Sequence, residues 1–318
     1  MGRAVLAAVT AAVLAAFAGA SRATVRAQAA PGCPAPRVSA ASEARIDRVL
    51  ASGRDVWGEQ LLRAANGPTY AAARGFLPPL LYAVGHGGAP LTTSGVYYLP
   101  FTLPLSVGGP RGFGLHVADG SQVIVRRVGG PSVTVEVGAR GSERFGSCLG
   151  RLQAPRLADG YLPLLEVGYR DAAGVRYTQE SFVGRLPRER SLVSFIRVTA
   201  DARSSATGGV VRLVSSTGRV IRLPVPRMEA VELDAAFTHD GARLARVGAA
   251  VYDSARADVT AFWQKALAVA PGFVVPDADV MDAERALLTD ELSMTWRYSV
   301  GNVYEELSYV EALDVAQV

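Results

Sequence analysis

Residues 161–184 read YLPLLEVGYRDAAGVRYTQESFVG. A strand-like run from Leu164 to Tyr169 is followed by the turn signal Asp171-Ala172-Ala173-Gly174, and a second run begins at Val175. This is the pattern of two antiparallel strands joined by a hairpin. In the second strand the two-residue period puts Tyr177, Gln179 and Ser181 on one face and Thr178, Glu180 and Phe182 on the other. A second hairpin runs from Val210–Val214 through Ser215-Ser216-Thr217-Gly218 to Arg219–Leu223. Further β-branched and aromatic runs are GVYYLPF from Gly95, QVIVRR from Gln122, SVTVEVG from Ser132 and LVSFIRVT from Leu192. Many short strands without helix-length periodic segments between them predict antiparallel sheets, most simply two packed as a β-sandwich over residues 76–271.

Helices flank this body. Ser42 can cap a helix carrying Ile46, Val49 and Leu50 on one face, and after a break at Gly53 the set Val56, Trp57, Gln60, Leu61 and Ala64 continues it. Residues 30–75 therefore read as an N-terminal helical arm that packs on the body. Residues 254–269 place Val259, Phe262, Trp263, Ala266 and Leu267 on one stripe as a closing helix, ended by Pro271-Gly272. Asp279 can cap a further helix with Val280, Ala283, Leu287 and Met294, so residues 272–318 read as a linker helix leading into an incomplete α-helical domain.

The chain has 318 residues, 49% hydrophobic and 19% charged, with 33 Gly and 18 Pro, which fits a β-rich globular body and not a disordered polymer or a helical bundle. Net charge is +4, and Lys265 is the only lysine. The arginines are scattered through predicted strands and loops, so nucleic-acid binding is not expected. Charge is uneven: residues 277–318 hold ten acids against Arg285 and Arg297, a net −8 that leaves +12 on the remainder and marks a module boundary near Pro276.

Residues 1–29 read as a secretory signal peptide, with basic Arg3, the apolar run of residues 4–20 and the small-x-small site Ala27-Gln28-Ala29. An Ala-dominated run of that length is marginal for spanning a bilayer, so the expectation is a secreted chain with no membrane association after cleavage. Cys33 and Cys148 are the only cysteines, and an oxidising compartment would let them form a disulfide tying the arm to the sheets. Lipid modification of Cys33 is disfavoured, because Ala30-Pro31-Gly32 lacks the aliphatic residue such a site uses and Cys148 would be left over.

Chemical signals are sparse. His86, His116 and His239 show no metal-ligand spacing, no Gly-x-Ser-x-Gly elbow occurs, and no glycine pair is followed by Lys-Ser/Thr. No metal or other cofactor is expected. Paired carboxylates able to flank a sugar could come from Glu143, Asp159, Glu166, Glu180 and Asp240, with Glu180 the most interesting because it stands among aromatics. In the C-terminal stretch Trp296, Tyr298, Tyr304 and Tyr309 interleave with Glu305, Glu306, Glu311 and Asp314, a mixture suited to a groove wall or a helix contact.

The segment from Asp279 through LLTDELSMTWRYSVGNVYEELSYVEALDVAQV resembles the linker helix and opening of the (α/α)6 barrel in six-hairpin glycosidases, including secreted α-rhamnosidase-like proteins. Asp119-Gly120-Ser121, Asp159-Gly160-Tyr161-Leu162-Pro163 and Tyr177-Thr178-Gln179-Glu180-Ser181-Phe182 are similar to the strand-turn texture of the sandwich that precedes that barrel. The resemblance implies carbohydrate as ligand, a C-terminal α/α barrel as partner domain, and Trp296, Arg297, Tyr304 and Glu305 as residues lining or supporting a sugar site. It carries over no catalytic residue: the family's acids lie deep in a barrel needing on the order of 350 residues, and only residues 277–318 follow Pro276. The expected function is thus the truncated, non-catalytic sandwich portion of a secreted glycoside hydrolase-type protein. The alternatives are a stand-alone carbohydrate-binding or adhesion module using Tyr97, Tyr98 or Tyr177, and a small hydrolase using Glu180.

Overall fold

The computed structural model describes residues 33, 40–65, 69, 98–101, 114–125, 130–153, 155–186, 191–269 and 274–293. Among these, thirteen strands form two antiparallel sheets, as the alternation predicts. The first sheet has the order β1 (Tyr98–Phe101), β2 (Gly114–Val117), β3 (Gln122–Ile124), β4 (Ser132–Val137), β10 (Gly209–Ser215) and β11 (Val220–Val225), with β5 (Glu143–Arg144) also paired to β4. The second runs β13 (Leu244–Arg246), β12 (Ala230–Thr238), β9 (Val193–Asp201), β8 (Arg176–Gly184), β7 (Leu162–Arg170) and β6 (Arg156–Ala158).

Both predicted hairpins form, with Leu164 opposite Phe182 in β7–β8 and Leu213 opposite Ile221 in β10–β11. Between the sheets lies one apolar core, drawn from Val123, Val133, Val135 and Val137 on one side and Leu165, Val167, Ile196 and Val198 on the other. Burial of that many branched side chains, at about 25 cal/mol per Å2 of apolar surface, is what holds the two layers together.

The outer face of the second sheet carries another layer. Helix α3 (Ala249–Leu267) lies on it through Tyr252, Ala255, Val259 and Trp263, spaced as one helical stripe. Phe182 and Phe195 stack at 5.1 Å, and Tyr252 meets both edge-on at 5.2 and 6.1 Å. Gly184 lets the helix approach, since a Cβ there would sit 3.1 Å from Val259 Cγ2. The helix begins five residues before the predicted start at 254. Phe262, expected on the buried stripe, is 41% exposed, because the stripe is set by Tyr252 and Ala255 one turn earlier.

Helix α4 (Ala278–Ser293) forms where one was predicted, but Asp279 sits in its first turn and not at its cap, with its amide donating to Asp277 Oδ1 at 3.0 Å, and Met294 lies outside the described residues. The helix is docked on the body: Arg285 lies over the Tyr161 ring at 5.2 Å, Thr289 is buried, and Asp282 presses on the Asp159-Gly160 turn. In the arm, α1 (Ala40–Ser52) and α2 (Val56–Leu62) flank the break at Gly53, whose φ of +62° suits glycine. Asp55 caps α2 by accepting from Gly58 N at 2.8 Å. Leu50 and Leu62 are 63% and 74% exposed, so the arm does not pack on the body through those two side chains. What ties it down is the predicted Cys33–Cys148 disulfide, whose Cα atoms are 5.3 Å apart.

Candidate functional site

Glu180 points outward from β8, towards α3. Its Oε1 accepts from the Tyr252 hydroxyl at 3.0 Å and from Arg256 Nε at 2.9 Å, and its Oε2 from the same Nε at 3.1 Å. Burial, then the Glu180 charge, raises the Tyr252 phenol well above its ordinary value. Beside it, Arg197 of β9 forks onto Asp234 of β12 at 2.6 and 2.9 Å, reaches Asp253 of α3 at 2.9 Å and covers the Tyr252 ring at 4.0 Å. The Asp234 hydrogen bond, the largest influence, raises the Arg197 guanidinium.

The Arg256 guanidinium is raised first by its hydrogen bond to Glu180, and the charge of Asp159 adds to the effect. Asp159 (φ +52°) and Gly160 (φ +82°) are the two central residues of the β6–β7 turn, which is the Asp-Gly signature of a type I′ hairpin. Glu180 and Arg256 pair where β8 meets α3, and Tyr161, Asp282 and Arg285 gather where the β6–β7 turn meets α4. Of the acids singled out in the sequence, Glu180 is held by Arg256 and Tyr252, and Asp159 stands in the β6–β7 turn. Glu166 pairs instead with Arg156, and Glu143 accepts from Tyr169, Arg151 and the Ala172 amide.

Tyr177 faces the opposite way and is 2% exposed, so it offers no ring face to a sugar. Its hydroxyl donates to Asp171 Oδ2 at 2.8 Å and accepts from Gly138 N at 3.3 Å, bridging the sheets. Asp171 Oδ1 in turn accepts from Ala173 N and Val175 N, closing the β7–β8 turn. Burial raises both the Tyr177 phenol and the Asp171 carboxyl, the latter against those hydrogen bonds.

A third polar cluster was not legible from spacing. His116 Nδ1 lies 3.0 Å from Ser181 Oγ, its Nε2 lies 3.3 Å from Ser194 Oγ, and His239 Nε2 lies 3.0 Å from the same Ser194 Oγ. All four side chains are buried, so the cluster joins β2 of one sheet to β8 and β9 of the other. Among the described residues no three His, Cys, Asp or Glu side chains could hold a metal ion.

Trp296, Arg297, Tyr304, Glu305, Tyr97 and His86 lie outside the described residues, and of Tyr98 only the strand position in β1 is described. Fold and site together define a disulfide-tied, two-sheet antiparallel β-sandwich whose second sheet is roofed by a helix. No protein-family model, no curated protein and no solved structure matches this chain. Among the described residues no helix is long and apolar enough to cross a membrane.

Proposed function

We propose that the sandwich is the non-catalytic portion of a secreted, carbohydrate-active protein of glycoside hydrolase type, working beside an (α/α)6 barrel domain that supplies the catalytic acids. The observation that carries this reading is the engagement of Glu180. Its oxygens are taken up by Arg256 and Tyr252, whereas a glycosidase acid or nucleophile needs an oxygen facing the scissile bond and a second carboxyl about 5–10 Å across it. The disulfide supports export, being a bond that persists in oxidising compartments, and the apolar run with Ala27-Gln28-Ala29 supports it independently.

The test is direct. Intact-mass analysis of the native exported polypeptide is expected to find a product several hundred residues longer than this chain that hydrolyses aryl glycosides, while the 318-residue chain alone does not. A native product no longer than this chain that still bound glycans would replace this reading with the stand-alone binding module. Turnover by the chain itself, lost in Glu180→Gln, would replace it with the hydrolase.

A further inference from the structure

Four turns meet at one end of the sandwich: β4–β5 (residues 138–142), β7–β8 (171–175), β9–β10 (202–208) and β11–β12 (226–229). Hydrogen bonds join them. Val210 N donates to the Gly138 carbonyl at 2.9 Å, Ala172 N to Glu143 Oε2 at 3.3 Å and Ser205 Oγ to the Ala173 carbonyl at 3.0 Å. Ala202 N donates to the Glu229 carbonyl at 2.8 Å, and Met228 N to the Ala202 carbonyl at 3.3 Å. All four turns lie within the described residues. Exposed on or beside them are Arg140, Arg170, Arg176 and Arg227, and none of the four makes an ion pair or a side-chain hydrogen bond among the described residues. Most acids of this end are engaged: Arg203 forks onto Asp201 at 3.0 and 2.8 Å, Glu232 lies 3.3 Å from Arg197, and Glu143 and Asp171 accept from Tyr169 and Tyr177. Glu229 is the exposed acid there without an ion pair among the described residues.

Two features of this end work against folding. Arg170 and Arg176 stand directly opposite each other in the β7–β8 ladder, where like charges repel. Met228, at the tip of the β11–β12 turn, is 62% exposed and holds φ at +67°, a left-handed conformation that glycine would adopt more easily. Strain of this kind persists where a surface serves a task other than folding. Guanidiniums grip phosphate oxygens through paired hydrogen bonds, and an apolar side chain projecting among cations can enter the boundary between lipid headgroups and acyl chains. A soluble polyanion would use the arginines and leave Met228 in water. We propose that this end of the sandwich docks peripherally on an anionic lipid bilayer, with Arg140, Arg170, Arg176 and Arg227 on headgroup phosphates and Met228 below them. The inference goes beyond the carbohydrate reading, does not depend on it, and replaces the expectation of no membrane association.

Co-sedimentation of the full chain with vesicles tests it, comparing phosphatidylcholine alone with phosphatidylcholine containing about 30% phosphatidylglycerol at low salt. The neutral vesicles read any binding by the apolar run of residues 4–20 and set the baseline. Binding to the anionic vesicles is expected to be at least tenfold tighter than to the neutral ones and to fall as salt is added. The variant Arg140→Gln/Arg170→Gln/Arg176→Gln/Arg227→Gln is expected to lose at least tenfold. A second variant, Arg48→Gln/Arg185→Gln/Arg219→Gln/Arg222→Gln, removes as much charge from exposed positions elsewhere and should stay within about threefold of the parent. Met228→Gly, which relieves the left-handed strain, should melt no lower than the parent yet bind anionic vesicles at least threefold more weakly. Equal binding of the two vesicle types, equal losses in the two arginine variants, or undiminished binding by Met228→Gly would each overturn the inference. Binding of soluble heparin with no binding of vesicles would overturn it in favour of an acidic polysaccharide.

Discussion

The guanidinium of Arg197 lies 4.0 Å from the centroid of the Tyr252 ring while it forks onto Asp234, so one side chain of β9 fixes both its neighbour strand and the helix above it. Asp234 is only 5% exposed in its side chain, and removing Arg197 would leave that carboxylate buried without its fork. Arg197→Ala is expected to cost about 3 kcal/mol in urea unfolding, and Arg197→Lys to recover only part, because an ammonium cannot reproduce the bidentate geometry. Equal stability of all three proteins would contradict the assignment.

Tyr252 isolates the helix layer. Tyr252→Phe keeps the aromatic packing on Phe182 and Phe195 and removes the hydroxyl that donates to the Glu180 Oε1 and backbone carbonyl, for an expected loss of about 1–2 kcal/mol. Tyr252→Ala opens a cavity and should cost about 3–5 kcal/mol. If the two substitutions cost the same, the ring contributes nothing and the roof of the sheet is held elsewhere.

The buried histidine gives a pH dependence whose sign is fixed. Burial, assisted by the neighbouring charge of His239, pushes the His116 imidazole down to about 3. The folded value is lower than the unfolded one near 6.5, so folding favours the neutral ring. The stability this contributes is complete above pH 6.5 and is lost as pH falls from there towards 3, about 2 kcal/mol of it between pH 7 and pH 5. Unfolding free energies measured at several pH values should fall less steeply in His116→Gln. An unchanged slope would mean that other groups set the acid response.

Linking Cys33 to Cys148 closes a loop with a sequence separation of 115 residues in the unfolded chain. By chain-entropy arithmetic such a bridge is worth about 3–5 kcal/mol, so Cys33→Ala/Cys148→Ala should unfold at markedly lower denaturant than the oxidised parent. Reducing agent should lower the parent and leave the double variant where it is. A parent insensitive to reduction would show that the arm adds no constraint.

Docking of α4 can be tested at a single glycine. A Cβ at Gly160 would stand 2.5 Å from Asp282 Oδ2 and would face a φ of +82°. Gly160→Ala should cost about 1–2 kcal/mol, and Asp282→Ala in the same chain should relieve the steric share but not the backbone share. Additive effects would place α4 away from the turn.

The strand alternation between Tyr177 and Phe182 was readable in full, because a two-residue period leaves only the choice of which face is inner. Here Tyr177 went inward, where its hydroxyl ties Asp171 to Gly138, and Glu180 went outward under α3. The hairpins, the break at Gly53 and the disulfide were equally legible, since each depends on local turn chemistry or on there being only two cysteines. What the sequence hid are pairings at long range. Ser194 meets His116 and His239 across 78 and 45 residues, and Glu180 meets Tyr252 across 72. No spacing rule connects such positions. The exposure of Phe262 has the same origin: a stripe drawn from the helix alone cannot know that Tyr252 must reach Glu180.

The two sheets differ in when they can be completed. The β6 to β9 run is a meander whose strands pair with their sequence neighbours, so it can assemble as it leaves a ribosome or a translocation pore. Strand β4 pairs on one side with β3 and on the other with β10, and Glu136 waits 76 residues for Arg212. Until β10 arrives, β4 presents an open edge to any passing strand, with the whole second-sheet meander made in between. The first sheet is therefore closed by β10 and β11 only after the β6–β9 meander has been made, and the second is completed last, when β12, β13 and the roof helix α3 arrive.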